Sequence, residues 1–97
     1  MPLSFSDTPN STRALASVGA SAGDTITVSN GATALFVLFD SHKGEVKGPG
    51  ASDDWAPVAA DTWTLVGEWG RSLSGSRVIN VRRHGGSGTV TVYARQS

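Results

Sequence analysis

A chain of 97 residues with eight basic and eight acidic side chains has a formal charge of zero, and so no field that would draw it to free nucleic acid or to an anionic membrane. It contains no cysteine, which excludes disulfides, thiolate nucleophiles and cysteine-ligated zinc. A single domain of this size buries only about 60 to 70% of the surface of its unfolded chain, so further burial in an oligomer would help it.

Residues 1–12 hold Pro2 and Pro9, several Ser and Thr, and single apolar residues at Leu3 and Phe5. They read as an extended arm without a core of its own, ordered by a neighbouring subunit or surface into which Leu3 and Phe5 insert. The remaining residues, 13–97, are expected to form one domain. Residues 1–23 have neither a basic start nor a continuous apolar run, so no signal peptide is expected. No segment approaches the roughly twenty apolar residues of a membrane helix. The chain is expected to be soluble and made in the cytoplasm.

Residues 13–18 predict a first, weak strand. Residues 24–29 then alternate polar with apolar, Asn30-Gly31 suits a two-residue type I′ turn, and residues 33–40 would return as the hairpin partner. In that register Ile26 lies opposite Leu35 and Val28 opposite Thr33. Ile26, Val28, Leu35, Val37 and Phe39 share one face, while Phe36 and Leu38 point the other way. With apolar residues on both sides, this strand is expected to be central and covered on its second face by the N-terminal segment or by another subunit.

Residues 41–54 are polar and glycine-rich around Gly48-Pro49-Gly50 and read as a surface loop. Residues 55–58 predict a short strand, and residues 61–69 alternate again, with Trp63, Leu65 and Trp69 on one side. Trp55, Trp63 and Trp69 are the costliest residues to expose, so at least one is expected in the core and the others at a subunit contact. Residues 77–95 alternate on both sides of Gly85-Gly86-Ser87-Gly88 and predict a second hairpin. It buries Ile79, Val81, Val90, Val92 and Ala94 and presents Asn80, Arg82, Thr89, Thr91, Tyr93 and Arg95. Arg77, Arg82, Arg83 and Arg95 place half of the positive charge here, with Arg82 and Arg95 on the polar face, suited to guarding a sheet edge or meeting an acidic partner. About six or seven short strands divided by turn signals predict an all-β domain, a small antiparallel β-sandwich or barrel of jelly-roll or immunoglobulin-like type.

Little in the chain points to covalent chemistry. Asp40-Ser41-His42 has the residue types of a hydrolase triad, but consecutive residues point apart, whereas a triad converges from separate elements. His84-Gly85-Gly86 resembles an esterase oxyanion loop without the nucleophile elbow that loop serves. Asp53, Asp54 and Glu45 fall short of the six to eight oxygens that calcium takes, and two isolated histidines do not make a zinc site. No catalytic residue, cofactor or metal is therefore expected. The candidate contact residues are Leu3, Phe5, Phe36, Leu38, Trp55, Trp69, Arg82 and Arg95.

Over residues 24–95 the order of features resembles a family of small tailed-bacteriophage virion proteins. The resemblance is carried by Val28-Ser29-Asn30-Gly31 leading to Phe36-Val37-Leu38-Phe39-Asp40, by Pro57-Val58-Ala59-Ala60, and by Ile79-Asn80-Val81-Arg82 followed by Gly86-Ser87-Gly88-Thr89-Val90-Thr91-Val92-Tyr93. The aromatic segment 63–71 departs from the Ala/Gly-rich middle of that family. The resemblance implies a structural role in the virion without catalysis: a capsid decoration or cement protein bridging capsomers, partnered by the major capsid protein or another virion protein and by copies of itself, most simply as a trimer. A head–tail or tail accessory protein and a tryptophan-based carbohydrate-binding module are the alternatives.

Overall fold

The computed structural model describes residues 3–4, 12–21, 23–28, 32–48, 54–68 and 77–97, with Leu3, Ser4 and Arg13 as backbone only. Nine strands form: β1 (Leu3–Ser4), β2 (Thr12–Gly19), β3 (Asp24–Val28), β4 (Ala34–Phe39), β5 (Gly44–Lys47), β6 (Ala56–Val58), β7 (Thr64–Glu68), β8 (Arg77–Arg83) and β9 (Thr89–Gln96). No helix occurs among the described residues. The strands build two sheets, ordered β1-β3-β8-β5-β6 and β2-β9-β4-β7. Every pairing is antiparallel except that of β1 with β3.

Four pairings are nested one inside another: β2 with β9, β3 with β8, β4 with β7 and β5 with β6. The chain is thus a long hairpin whose first half, β2 to β5, runs beside its second half, β6 to β9. It rolls up so that β9 also meets β4 and β8 also meets β5. Eight strands in this order make a jelly roll, and among β2 to β9 only the β5–β6 connection stays within one sheet.

Alternation decides what goes inside. Ile26, Val28, Leu35, Val37, Phe39, Ile79, Val81, Val90, Val92 and Ala94 are all buried in one core with Leu15, Val18, Val46 and Val58. These are the residues expected to face inward, but the hairpins expected to hold them are absent. Ile26 pairs with Ile79 and Val28 with Arg77, while Leu35 pairs with Gln96 and Gly67. Likewise β8 and β9 lie in different sheets. The reason is that a strand pair joined edge to edge and a strand pair arched across a sandwich bury the same alternating residues. The expected Asn30-Gly31 turn lies outside the described residues.

Two more expectations change, and a third is met by neither described tryptophan. The polar segment after β4 contains a strand, β5, whose Gly44 and Val46 face the core while Glu45 and Lys47 face out. Gly44 is there for space: a Cβ on it would stand 1.9 Å from Cε2 of the fully buried Phe39. The arm is not wholly free of its own domain, because Leu3 and Ser4 pair with Ile26 and Thr27 at the edge of the five-stranded sheet instead of lying over β4. No described tryptophan is in the core: Trp63 is 45% exposed, Trp55 is half-buried, and Trp69 lies outside the described residues.

The corners are held by polar bonds. Asp61 and Ser41 both have left-handed backbones, and the Asp61 carboxylate accepts the Ser41 N–H at 2.8 Å while Asp61 N–H donates to Phe39 O. Gly23 also has positive φ (63°) and packs against β8, where a Cβ would come within 2.7 Å of Val81 O. At the end of β9, Ser97 O accepts N–H bonds from Thr33 and Ala34.

Candidate functional site

The described residues enclose no pocket, so the surfaces with binding chemistry are the two outer faces of the sandwich. On the four-stranded sheet the register sets two rows across the strands. Thr12, Arg95, Phe36 and Leu65 form one, and Ala14, Tyr93 and Leu38 form the other. Leu65 is 45% exposed and Tyr93 36%, with Phe36 and Leu38 half-buried. Trp63, two residues before Leu65, is exposed to the same degree as Leu65. The Arg95 guanidinium lies 5.8 Å from the Phe36 ring centroid, near the outer limit of a cation–π contact. Among the described side chains this is a largely apolar face with one cation, Arg95.

The outer face of the five-stranded sheet is polar and built around Arg82. Register places Arg82 opposite Glu45, and Arg82 Nε donates to Glu45 Oε1 at 2.6 Å. The Arg82 guanidinium also stands 4.1 Å from the centroid of the Trp55 ring, with Lys47 Nζ at 5.1 Å. His84 Nδ1 lies 3.2 Å from Glu45 Oε2, within ion-pair distance but without hydrogen-bond alignment. The hydrogen bond from Arg82, then its charge and the contribution of His84, hold the Glu45 carboxyl below its usual value against an opposing push from desolvation. Beside this cluster His42 Nε2 is 3.1 Å from His84 O, and its Nδ1 is 3.5 Å from Arg83 Nη2.

The residues singled out from sequence are therefore divided. Phe36, Leu38 and Arg95 meet on one face; Trp55 and Arg82 meet on the other. Arg82 and Arg95 were expected on one polar face, but β8 and β9 belong to opposite sheets, so the two arginines project from opposite sides of the sandwich. The backbone of Leu3 is at the edge beside β3, while Phe5 and Trp69 lie outside the described residues. Sequence reasoning missed Tyr93 and Leu65 as neighbours of Phe36 and Leu38, and missed Glu45, Lys47 and His84 as companions of Arg82. The short alternation Gly44-Glu45-Val46-Lys47 was the available signal for the second group.

The residues considered for catalysis do not converge. Ser41 Oγ donates to Asp40 Oδ1 at 3.1 Å, while the His42 ring is engaged with His84 O and Arg83. No three His, Asp or Glu side chains among the described residues are grouped as metal ligands. Comparison with protein-family models, with curated proteins and with solved structures finds no match to the chain.

Proposed function

We propose that the chain is a structural protein of a tailed-phage virion, a decoration or cement subunit that reinforces the head shell by bridging capsomers. The observation that carries this reading is the outer face of the four-stranded sheet. A sandwich needs only its inner faces apolar, yet here Phe36, Leu38, Leu65 and Tyr93 share an outer one, as a surface made to be covered does. We assign that face to contact between copies of the chain, a trimer in the simplest case. Each copy then adds a modest contact to the shell, and linked copies bind far more tightly than one. The jelly-roll order supports the reading by analogy only, since capsid proteins, lectins and cupins share it. The role involves no catalysis, cofactor, membrane or free nucleic acid, and places the protein in virions assembled in the host cytoplasm.

A sugar-binding module is less well supported. The Trp55 ring already has a guanidinium 4.1 Å from its centroid, so a sugar would have to displace Arg82 before stacking there. The test is to purify particles and count this protein against the major capsid protein. A copy number that scales with capsomers is expected. A single ring's worth of copies would favour a head–tail or tail accessory instead, and absence from particles would end the virion reading.

A further inference from the structure

The Arg82 side chain is held in place before any partner arrives. Glu45 takes its Nε, and Trp55 lies against its plane. The Glu45 bond leaves the terminal nitrogens, the pair that forks onto a carboxylate, out of that contact. The side chain remains 30% exposed. Lys47 stands over the same tryptophan. Alternation puts Lys47 and Arg82 with Glu45 on the outer face of β5 and β8, two cations against one carboxylate, whereas Arg77 and Arg83 fall in step with the inward-facing Ile79 and Val81. The better placed of these two cations is a pre-oriented arginine beside a tryptophan, the two residue types most enriched where binding energy concentrates.

We propose that the outer face of β5 and β8 docks an acidic protein segment. Arg82 receives a partner carboxylate through its terminal nitrogens, Lys47 adds attraction, and Trp55 holds the guanidinium in place for it. The inference deepens the reading above, on which it rests for where the acidic segment resides: on the shell. A single-stranded nucleic acid fits less well. It needs a continuous cationic track past several stacking rings, whereas the described residues of this face offer one ring and have Glu45 in their middle.

The test uses the full chain, isotope-labelled, titrated with a blocked hexaglutamate peptide and, separately, with hexathymidylate. Saturable movement of the Arg82 Nε–H and Trp55 indole N–H signals is expected with the peptide, weakening as salt is raised. Arg82→Gln should reduce peptide affinity by about tenfold, and Arg82→Lys, which keeps the charge and loses the fork, by about threefold. Should Arg82→Gln melt well below wild type, Lys47→Gln, which leaves the Arg82–Glu45 pair intact, takes its place with an expected loss of about threefold. No saturable movement with the peptide, tighter binding of hexathymidylate, or unchanged peptide affinity in a normally folded variant would each overturn the proposal. Particle binding separates it from the broader reading. Equal occupancy of wild type and Arg82→Gln on particles overturns the docking proposal alone. Absence of wild type from particles overturns the virion role and leaves the peptide titration to decide the docking proposal.

Discussion

Replacing Gly44 by alanine adds one methyl group at the tightest point of the core. Its Cβ would stand 1.9, 2.0 and 2.4 Å from Cε2, Cδ2 and Cζ of Phe39. Non-bonded carbons rest at about 3.5 to 4.0 Å, so the ring has to retreat by roughly 1.5 Å. Phe39 is fully buried among residues that are themselves buried, and interiors this closely packed yield little. Overpacking of this kind costs about 1 to 3 kcal/mol, and the several close contacts place Gly44→Ala in the upper half of that range. An opposing gain of about 0.4 to 1 kcal/mol comes from stiffening the unfolded chain, because Gly44 does not have positive φ. The net expectation is a loss of about 1 to 2.6 kcal/mol, or a fall in melting temperature of roughly 4 to 20 °C for a domain of this size. Urea unfolding of wild type, Gly44→Ala, Phe39→Leu and the double variant closes a cycle. Since Phe39→Leu removes the ring that clashes, the double variant should recover at least about 1 kcal/mol relative to additivity. A Gly44→Ala protein as stable as wild type, or costs that simply add, would refute the contact.

Three further outcomes are expected. Gly23→Ala combines a strained φ of 63° with a Cβ 2.7 Å from Val81 O, and should cost about 1 to 3 kcal/mol by urea unfolding; a loss under about 0.5 kcal/mol would contradict it. Phe36→Ser and Leu38→Ser, on the half-buried outer face, should shift sedimentation toward monomer while lowering the monomer's stability by no more than about 1 kcal/mol, and a wild-type chain that sediments as monomer at high concentration would remove the self-contact. Because the Glu45 carboxyl sits below its ordinary 4.5, the unfolded chain binds more protons than the native one between the two values. The stability that the pair contributes is therefore complete above the unfolded value and lost as pH falls through the folded one. For a partly exposed pair it amounts to at most about 1 kcal/mol, and Arg82→Gln should flatten that part of the urea-midpoint profile; a profile identical to wild type would contradict it.

What the sequence disclosed and what it withheld divide along a physical line. Ile79, Val81, Val90 and Val92 were legible as buried because side chains alternate in any strand, whatever its partners. Which strand lies beside which is not a local property. Ile26 faces the core equally well paired with Leu35 or with Ile79, and only the packed sandwich decides between them. Strand β5 was hidden because its four residues give two periods of alternation, bordered by glycine and lysine. The surface sites were legible as residue types and not as groups. Arg82 and Glu45 meet across 37 positions of sequence, and Arg82 and Arg95 part company because the chain changes sheet between them. Trp55 was expected in the core or at a contact; it is half-buried at the surface, where Arg82 and Lys47 give its ring cationic neighbours.

The nested order of strands also governs when the domain can form. Strand β9 follows all the others in the chain, yet it sits between β2 and β4. During synthesis, β2 must wait for its only described partner, with nearly the whole chain intervening, and the pairing of β5 with β6 is the one that can close early. Loop closure across such separations is slow, and folding on the millisecond-to-second scale is expected of it. Until β9 arrives, the apolar faces of β2 and β4 remain without the strand that joins them, an interval in which a chaperone or a second nascent copy would compete for the same edges.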